Sequence, residues 1–380
     1  MTTIPLSPEL DRTSFTPLYV QLRELLVQRL RRGDFAPGAP FLSEREMIAQ
    51  YGVSSVTTRR VMTELVREGL IERRNGVGTF VRAEAPRRHL ALLVLEFKEA
   101  PQVTHRMIAS AFGELVGGVA QGAWDANAAL GLAYVAQPEE LGPWLVRAVA
   151  ERSADGLLVR AAGDLTDEEL APLERSGLPF VLVKRHLPGH ALACVVADER
   201  RAVQLGTEHL LALGHRAIGF VASTQSASLY EERAQGYADA LAAAALPFDP
   251  QRVVTAPDFS PESGEEAVRE LLQRPGLGRP TALMVASDSL AMGAYRALAA
   301  AGLRIPDDVS VASVDDIPEA QALQPPLTTA RTSHLEFGIR ATRLLLRLID
   351  ARWKGLPLPI QTDVIEPDLV VRSSTAAPPT

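Results

Sequence analysis

Apolar side chains recur at helical spacing in two short segments near the start of the chain. The first face comprises Met47, Ile48 and Tyr51, and the second comprises Val56, Val61, Leu65 and Val66. Gly52 separates the two segments, and Ser54 is placed to accept the first free backbone N–H groups of the second. The spacing therefore predicts two helices joined by a tight turn, as in a helix-turn-helix.

The second of these helices is predicted to contact DNA. Its early, outward positions carry hydroxyl and guanidinium groups, on Ser55, Thr57, Thr58, Arg59 and Arg60. Such groups reach base edges or phosphates when a helix lies in a major groove. A solvated helix face is the alternative interpretation of the two arginines.

After Gly69 the pattern becomes two short extended runs around a turn that contains Gly76. This pattern predicts a β-hairpin, or wing, whose glycine tip lets it approach a phosphate backbone or a minor groove closely. Arg73 and Arg74 flank the tip. They either contact phosphates or are simply solvated.

Three motifs occur in order across this region: SEREMIAQYGVS, ELVREGLIERR and GVGTFV. With them, residues 15–82 resemble the winged helix-turn-helix of the GntR family of bacterial transcription regulators. The resemblance implies a phosphate contact for Arg45, base or phosphate contacts for Thr57 and Arg59, and a wing contact at Gly76. Many members carry arginine where this chain has Ser55, so a half-site different from the family's usual one is expected.

Beyond a proline-containing connector at 84–88, apolar runs of strand length alternate with alanine- and leucine-rich runs of helical length. The predicted strands are 90–95, 130–135, 156–159, 180–183, 194–196, 217–221, 282–285 and 309–314. The predicted helices include 111–126, 201–213, 234–245 and 290–301. Such alternation makes parallel sheets covered by helices on both faces. A length of about 285 residues favours two lobes, with a ligand bound at the carboxyl ends of the strands.

Five motifs sharpen this prediction: LGTEHLLALGHRAIGFV, ERAQGYADAL, PTALMVASDSLAMGAYRAL, AGLRIPDDVSVASVDDIPEA and PPLTTAR. With them, residues 89–372 resemble the effector-binding domain of the LacI/GalR family, which shares its fold with periplasmic sugar-binding proteins. The loop at 97–110 is unlike the family's usual one. A GntR-type head on this body matches the arrangement of the arabinose-responsive repressors, although a shared architecture does not fix the sugar.

The expected fold class is thus an α+β winged helix-turn-helix head followed by an α/β, two-lobed, periplasmic-binding-protein-like domain with parallel sheets. The expected domains are a DNA-binding head at 1–83, a linker at 84–88, an effector-binding domain at 89–373 and a disordered tail at 374–380. The end of the chain, SSTAAPPT, is too polar and proline-rich to form a core of its own.

The family's ligand residues can be carried over to this sequence. The resemblance implies that Arg233 is a cleft arginine that donates to ligand hydroxyls or a carboxylate, and that Asp315 accepts from hydroxyls. Such a pair fixes neighbouring hydroxyls and rejects analogues that lack them. Ser287 stands where members often carry asparagine, directly before Asp288. A surface ion pair is the alternative interpretation of Arg233.

Lys184 occupies a position where many relatives carry an acidic residue, and Arg185 follows it. His334 is expected near a lobe crossover, while His105 and Arg106 lie in the unusual loop. These basic residues favour an anionic effector, such as a sugar acid or sugar phosphate, because charge-assisted hydrogen bonds are the stronger ones. A neutral sugar remains the alternative.

Charge is divided unevenly along the chain. Residues 1–88 contain 14 arginines, no lysine and 10 acidic residues, a net charge of +4, which leaves −11 for residues 89–380 because the whole chain carries −7. A basic head on an acidic body favours nucleic acid at one end only. The expected partners are a double-stranded operator with an inverted repeat, a small-molecule effector and a second copy of the chain in a homodimer.

Other classes are disfavoured by what the sequence lacks. No secretory or membrane segment is visible, so a cytoplasmic protein is expected, and an exported sugar-binding protein is not. The single cysteine, Cys194, excludes an internal disulfide and suits an apolar strand. No metal or cofactor is expected. An aminotransferase fused to the same head is disfavoured because none of the three lysines stands in a recognisable Schiff-base setting. The smaller sensor domains found behind GntR heads are disfavoured because they need far fewer residues than this body contains.

Overall fold

The computed structural model describes residues 10–74, 76–82, 88–95, 109–187 and 189–379, without the side chains of Arg31, Ala109 and Ser110. The chain divides into two compact units. One contains residues 1–88 together with Leu348–Leu358, and the other contains His89–Arg347 and Pro359–Thr380. We call the first the head and the second the body. Most of the connector at 84–88 and the loop residues His105 and Arg106 lie outside the described residues.

Within residues 10–82, the head comprises three helices and a two-stranded wing. Its elements are α1 (Leu18–Arg32), α2 (Glu44–Tyr51), α3 (Ser55–Arg67), β1 (Ile71–Arg74) and β2 (Gly78–Val81). Ser43 begins α2 with a capping box that includes Glu46, and Gly52 ends it in the left-handed conformation at φ 63°. The predicted cap of α3 is confirmed, since Ser54 Oγ accepts from the backbone N–H of Thr57 at 3.1 Å. The strands pair antiparallel, which confirms the wing.

The head's core joins all three helices to the wing. Leu22 and Leu26 of α1 pack with Met47 of α2 and with Val61 and Leu65 of α3. Two of the predicted orientations in α3 were wrong. Val56, predicted on the apolar face, is 74% exposed, whereas Thr58, predicted to face outward, is fully buried and donates to Ser54 O at 3.0 Å. A hydroxyl bonded to the preceding turn is satisfied inside the helix, so burying it costs little.

The body consists of two lobes, each built on a six-stranded sheet. The first lobe's sheet has the order β4-β3-β5-β6-β7-β13, and every described pair in it is parallel. Its strands are β3 (His89–Leu95), β4 (Ala129–Val135), β5 (Gly156–Ala161), β6 (Phe180–Val183), β7 (Cys194–Ala197) and β13 (Thr362–Ile365). Its helices are α4 (Ala109–Asp125), α5 (Pro138–Glu151), α6 (Asp167–Ser176) and the first part of α12 (His334–Trp353).

The second lobe's sheet has the order β9-β8-β10-β11-β12-β14 and is parallel except for the pair β12 and β14. Its strands are β8 (Ile218–Ser223), β9 (Val253–Ala256), β10 (Ala282–Val285), β11 (Ser310–Asp315), β12 (Thr328–Arg331) and β14 (Asp368–Val370). Its helices are α7 (Glu199–Ala212), α8 (Ala227–Ala243), α9 (Pro261–Gln273), α10 (Asp288–Ala300) and α11 (Pro318–Ala322), with a 3₁₀ turn at Pro250–Arg252. Apolar clusters cover both faces of this sheet.

The eight predicted strands all coincide with observed strands, and the parallel two-lobed architecture is confirmed. Four short strands, β9, β12, β13 and β14, were not predicted. The chain passes between the lobes three times: after β7, after β12 and after β13. Three crossings at one side of both sheets make a hinge of the kind that opens and closes a cleft.

Glycines let helices cross closely in both lobes. A Cβ atom on Gly293 of α10 would lie 1.9 Å from the carbonyl oxygen of Pro261, where α9 begins. A Cβ atom on Gly338 of α12 would lie 2.4 Å from the carbonyl oxygen of Leu115 in α4. Neither helix pair can keep its spacing with a larger residue at these points.

The C-terminal residues differ from the predicted disorder. Ser374 is fully buried, and its hydroxyl donates to Val311 O at 2.6 Å and accepts from Thr328 N at 2.8 Å. Ala376 O accepts a hydrogen bond from the His215 ring at 2.8 Å. The low apolar content of this segment predicted disorder. The segment is ordered instead by hydrogen bonds to residues near the starts of β11 and β12, which its apolar content does not reveal.

Within the described part of the chain, every helix is too short or too polar to cross a membrane. Across the same residues, His, Cys, Asp and Glu side chains form no group of three that could hold a metal ion.

Candidate functional site

The first candidate surface is the exposed side of α3 in the head. Ser55, Val56 and Arg59 are exposed there, and the Arg59 side chain is 68% exposed. Thr57 is half-buried, and its hydroxyl lies 2.9 Å from that of Ser54. Sequence reasoning missed Val56 as a surface residue. An exposed valine near the start of such a helix suits contact with a thymine methyl group.

Arginines from three elements of the head surround this side of α3. Arg59 and Arg73 lie 3.8 and 3.7 Å from the carboxylate of Glu44, so the helix and the wing share one acidic neighbour. Arg45 is exposed at the second position of α2, and Gly76 is exposed at the wing with φ 73° and open space around it. A phosphate group of a bound molecule can compete with the Glu44 carboxylate for Arg59 or Arg73, because surface ion pairs are weak.

Arg60, also predicted to contact DNA, has partners inside the head. Its guanidinium lies over the ring of Tyr19, 3.5 Å from the centroid, and 3.4 Å from Glu64. The stack fixes the side chain against α1. Arg60 is therefore less free to reach a base than Arg59.

The second candidate site is a cavity between the two lobes of the body. Its open space measures about 700 Å³ when the solvent at its mouth is included. The first lobe lines it with Ala111, Arg160, Ala161, Ala162, Lys184, Arg185 and His334. The second lobe lines it with Glu199, Gln225, Leu229, Arg233, Phe259, Ser287, Ser289, Asp315 and Ile317.

The fold places these residues at the carboxyl ends of strands. Arg160 is the next-to-last residue of β5, Lys184 directly follows β6, and Asp315 ends β11. Lys184 and Asp315 have left-handed backbones, with φ values of 64° and 119°. Such conformations are costly for residues with side chains and concentrate at functional sites.

Arg233 is anchored inside the cavity wall and is not a surface residue. It is 4% exposed, and its Nε and Nη2 donate to Glu199 Oε2 at 2.9 and 2.7 Å. Nη1 donates to the carbonyl oxygen of Ala286. Burial opposes ionisation of Glu199, but Arg233 and Lys184 outweigh it and hold the pKa of that carboxyl below its usual value. The alternative interpretation of Arg233 as a surface pair is thus wrong, and the pair is a buried one.

Asp315 faces three nitrogen atoms without a direct hydrogen bond to any of them. Its Oδ1 lies 4.0 Å from Lys184 Nζ, from Arg233 Nη2 and from His334 Nε2. Burial raises the pKa of Asp315 despite the attraction of Lys184 and Arg233. The contrast with Glu199 follows from geometry, since Glu199 accepts two direct hydrogen bonds from Arg233. Oδ1 of Asp315 therefore keeps acceptor capacity toward a ligand.

Lys184 and His334 form a direct pair. Nζ of Lys184 lies 3.0 Å from Nδ1 of His334. Burial and the Lys184 charge hold the pKa of His334 well below its ordinary value, so the ring is neutral. An ammonium only donates, so Nδ1 accepts and Nε2 carries the ring hydrogen. That Nε2 is buried and has no hydrogen-bond partner among the described residues.

Arg185 is held by backbone oxygens. Its Nη1 donates to Lys184 O at 2.7 Å and its Nη2 to Ala162 O at 3.2 Å. Its Nε is buried and, within the described chain, makes no hydrogen bond. Burial and the nearby Arg160 lower the pKa of Arg185 to about 10. The guanidinium is thus fixed in position, and Glu199 and Asp164 offset only part of the effect of burial on its pKa.

Six of the predicted effector residues line the cavity, and Asp288 does not. The six are Arg233, Asp315, Lys184, Arg185, Ser287 and His334. Asp288 is fully buried, accepts from Thr329 Oγ1 at 2.7 Å and from Ile317 N at 2.9 Å, and also accepts from Ser313. Burial and the neighbouring Asp315 raise the pKa of Asp288 to about 7. The structure therefore corrects this assignment, because Asp288 joins β11, β12 and α11 from beneath the site.

Sequence reasoning missed Arg160 and Glu199. Each lies close to the carboxyl end of a strand in the sequence, Arg160 within β5 and Glu199 two residues after β7. A polar residue at such a position of a buried parallel strand was the available signal. His105 and Arg106 fall outside the described residues.

A winged helix-turn-helix head and a two-lobed body with a polar internal cavity define the class of ligand-regulated DNA-binding proteins. Residues 18–81 match the model of bacterial regulatory proteins of the gntR family, and residues 207–375 match the model of the periplasmic binding protein-like domain.

Curated relatives extend the match. The chain is 27% identical over 365 residues to the arabinose metabolism transcriptional repressor of Geobacillus stearothermophilus, covering 94% of this chain and 98% of the relative. It is 32% identical to the transcriptional repressor PurR of Actinobacillus pleuropneumoniae, covering 63% and 69%. Its 37% identity to the regulator GalR of Escherichia coli covers 58% of this chain and 62% of GalR, which is less than two thirds of that relative.

Solved structures of other transcription regulators are also similar to this chain. The regulator CelR in complex with cellobiose has a TM-score of 0.65 at 28% identity, over 86% of this chain and 93% of CelR. A LacI family regulator from Enterococcus faecium with bound ribose has a TM-score of 0.62 at 26% identity, over 76% and 99%. The chain therefore belongs to the bacterial transcription regulators that join a gntR-family DNA-binding domain to a LacI/GalR-type, periplasmic-binding-protein-like domain.

Proposed function

We propose that this protein represses transcription by binding a specific operator, and that a carbohydrate or carbohydrate derivative bound in the body's cavity sets its operator affinity. The observation that carries the proposal is the cavity itself, which residues of both lobes line with charged and hydroxyl groups. The names of relatives support the ligand class, since one is an arabinose metabolism repressor and two solved structures hold cellobiose and ribose. No catalytic role is proposed for the body.

In the proposed mechanism, the ligand stabilises the closed arrangement of the lobes. Asp164 of the first lobe accepts from Ser226 Oγ, Ser228 N and Ser228 Oγ of the second, at 2.7, 3.1 and 2.7 Å. These bonds can form only when the lobes are close. A ligand that contacts both walls of the cavity makes further bonds between the lobes. It therefore shifts the population of molecules toward the closed state. A coupling of about 1–3 kcal/mol then changes operator affinity roughly 5- to 150-fold.

We further propose that a homodimer binds an inverted repeat in the cytoplasm. Large apolar side chains are exposed on α4, β4 and α5 of the first lobe: Trp124, Leu132, Tyr134, Val146 and Val149. We call this set the apolar patch. Both helices contact β4, so the patch lies on one part of the lobe. Exposed apolar groups of this kind mark association surfaces, and a twofold dimer presents two heads to two half-sites.

The test starts with selection of the operator from a random duplex pool by the purified full-length chain. Fluorescence anisotropy then measures operator affinity at fixed salt while arabinose, ribose, cellobiose and their acidic derivatives are added. The proposal requires one of these compounds to change operator affinity at least about fivefold. Selection of no sequence, or sequence-independent binding alone, would overturn the proposed function.

A further inference from the structure

Charged groups of the two lobes face each other inside the cavity. Nζ of Lys184, which follows β6, lies 4.0 Å from Oδ1 of Asp315, which ends β11. This distance is too long for a direct hydrogen bond, which measures about 2.7–3.2 Å. Two hydrogen bonds of about 2.8 Å that meet at one oxygen atom, at an angle of about 90–110°, span roughly 4.0–4.6 Å. One oxygen atom of a ligand therefore matches the gap and can bind both lobes.

Both groups are open to the cavity. Lys184 and Asp315 line it, and their side chains are 20% and 15% exposed. The side chain of His334, beside Lys184, is only 3% exposed. A ligand oxygen therefore reaches the lysine ammonium before it reaches the histidine ring. An effect of His334 on the ligand then passes through Lys184.

His334 holds the ammonium of Lys184 in place. Nδ1 of the ring lies 3.0 Å from Nζ and accepts one of its three hydrogens. The histidine begins α12, and its ring stacks on Phe337 one turn later, with 6.3 Å between the ring centroids. The ring of Phe337 also lies beneath the ammonium, with 5.2 Å from Nζ to the centroid. A lysine side chain is flexible, so these two neighbours remove rotamer freedom that a ligand would otherwise have to remove.

The ammonium of Lys184 has capacity for a ligand. Across the part of the chain that the structure describes, Nζ makes no hydrogen bond except the one to His334. Two of its N–H bonds can therefore reach other acceptors. The charges of Asp315 and Glu199 already favour the ammonium, so a ligand group that binds it can be neutral.

A hydroxyl group suits the gap better than other neutral oxygen groups. It accepts from the ammonium with its lone pairs and donates to the carboxylate with its hydrogen. Ether and carbonyl oxygens only accept, so either would leave the carboxylate of Asp315 without a donor. Both contacts of the hydroxyl involve a charged group, and such hydrogen bonds are stronger than those between neutral groups.

We propose that His334 is a positioning residue that holds the Lys184 ammonium for one ligand hydroxyl, and that this hydroxyl bridges Lys184 to Asp315 and so joins the lobes. The inference rests on the proposed function and specifies which group of the ligand closes the cavity. The hydroxyl oxygen accepts from Nζ on the first lobe, and its hydrogen is donated to Oδ1 on the second. A ligand that lacks this hydroxyl, or carries it as an ether, loses the bridge.

Titration of Lys184 tests the positioning role without a ligand. The sequence contains three lysines, Lys98, Lys184 and Lys354, so full-length protein labelled with ¹³C at lysine Cε gives three side-chain signals, and Lys184→Arg identifies one of them. Burial lowers the pKa of Lys184 to about 8. In His334→Leu the midpoint should fall by about one further pH unit, because a hydrogen bond to the charged form is lost.

Two variants control this measurement. His334→Asn should restore the midpoint, since the amide oxygen of asparagine can take the place of Nδ1. His190→Leu should leave it unchanged, because this exposed histidine pairs with Asp167 in the first lobe and does not line the cavity. Other charged residues act on the pair and are present in every one of these variants: Asp315, Glu199, Arg233 and Arg185 act on Lys184, and Arg160 and Arg233 act on His334. A difference between the variants therefore reports on the histidine.

Ligands test the bridge. Arabinose, ribose and cellobiose are added to the labelled protein, and the Lys184 signal shows which of them binds beside it. The monodeoxy and mono-O-methyl derivatives of that sugar are then compared by calorimetry. We expect one position at which either change weakens binding to the wild type at least about tenfold, because a hydrogen bond to a charged group is lost. In His334→Leu the same ratio should fall below about threefold, and His334→Asn should recover it.

An unchanged Lys184 midpoint in His334→Leu would overturn the positioning role, as would a hydroxyl preference that survives this substitution. If His334→Leu does not fold, His334→Gln takes its place, because the glutamine amide lies near the position of Nε2 and leaves the position of Nδ1 without an acceptor. A Lys184 signal that responds to none of the three sugars would overturn the bridge.

Operator anisotropy separates these outcomes from the proposed function. A sugar that changes operator affinity without moving the Lys184 signal removes the bridge and keeps the function. A sugar that moves the signal and shows the hydroxyl preference, but does not change operator affinity, keeps the bridge and removes the function.

Discussion

The carboxylate of Asp164 on the first lobe accepts two hydrogen bonds from Ser228 on the second, at 3.1 Å from its backbone N–H and 2.7 Å from its hydroxyl. Burial opposes ionisation of Asp164, but the hydrogen bonds of Ser228 and Ser226 outweigh it and keep the pKa below its usual value. The charged form is therefore the one that holds the lobes together, and the contact should weaken only below about pH 4, as the carboxyl becomes protonated.

Replacing Asp164 with alanine should make closure harder. We expect Asp164→Ala to weaken effector binding by about 1–3 kcal/mol, because the ligand must then close the lobes without these bonds. Calorimetry with the effector measures the loss. Asp167→Ala is the control, since that side chain is 91% exposed and pairs with His190 of the same lobe. An equal loss in both variants would contradict a role for Asp164 in closure.

Lys184 should make anion binding sensitive to alkaline pH. Burial lowers the pKa of Lys184 from 10.5 to about 8, although Asp315 and Glu199 oppose the change. Between these values the folded chain has a neutral lysine and the unfolded chain a charged one, so the burial penalty of Lys184 is relieved and its contribution to stability rises with pH. Over the same window the first-lobe wall loses one positive charge.

If the effector is a sugar acid, its affinity should fall about tenfold between pH 7.5 and 9.5, because the lysine loses its charge and binds the carboxylate more weakly. A carboxylate ligand is the right probe, since it keeps its charge throughout. Calorimetric titration at several pH values tests the expectation. Lys184→Arg should flatten the profile, whereas Lys354→Arg, at an exposed lysine, should leave it unchanged. A wild-type profile that is flat would show that Lys184 does not contact the carboxylate of the bound sugar acid.

Arg59 should contribute to operator binding without affecting the effector. Its side chain is 68% exposed on α3 and lies 3.8 Å from the Glu44 carboxylate. We expect Arg59→Ala to weaken specific operator binding by about 1–3 kcal/mol and to leave effector affinity intact. Anisotropy on the selected operator gives the first quantity and calorimetry the second. Arg60→Ala should instead lower the head's stability, because Arg60 lies over Tyr19. Loss of both activities in Arg59→Ala would contradict separate modules.

The close crossing at Gly293 should tolerate no added methyl group. A Cβ there would meet Pro261 O at 1.9 Å, so Gly293→Ala must separate α9 from α10 and should destabilise the body by at least about 1–3 kcal/mol. Gly142→Ala is the matched control, because a Cβ atom at this position of α5 would meet nothing within 4 Å. The control should be neutral or stabilise by about 0.5–1 kcal/mol. Chemical unfolding monitored by circular dichroism distinguishes the two.

A charge in the apolar patch should weaken the dimer. Val146 is 69% exposed on α5, so Val146→Glu should fold normally. If this patch forms the interface, the unpaired carboxylate must be desolvated there, and the dissociation constant should rise by at least about tenfold. Analytical ultracentrifugation measures it. Leu335→Glu, at a 42% exposed position of α12 outside the patch, is the comparison. Equal effects of both would move the interface elsewhere.

The hydrophobic pattern predicted the elements of this fold better than the contacts of its site. Apolar runs such as 90–95 have the length of a buried strand and are shorter than a typical buried helix. The caps at Ser54 and Gly52 act within one turn of helix, so the sequence shows them locally. Val56 could not be placed this way, because a single exposed valine fits the helical stripe as well as a buried one does.

The residues of the cavity are far apart in the sequence, and the sequence does not show which of them meet in the fold. Lys184 and His334 are 150 positions apart and meet only because two strand ends and a crossover adjoin. The family resemblance brought both to notice, yet it could not show that Asp288, one residue from Ser287, lies beneath the cavity wall. Its three hydrogen-bond partners come from two strands and a helix start, and that arrangement follows from the register of the sheet.

The three crossings of the hinge also constrain how the protein is made. Strand β7 (Cys194–Ala197) of the first lobe pairs with β13 (Thr362–Ile365). Five of the six second-lobe strands are synthesised between these two, so β7 has no partner on that edge during this time. A nascent chain that ends before Thr362 therefore contains most of the second-lobe core beside a first lobe with one open sheet edge. Open edges recruit strands from other chains, so aggregation during synthesis should begin at β7, and variants that slow folding of the second lobe should lower yield by prolonging that exposure.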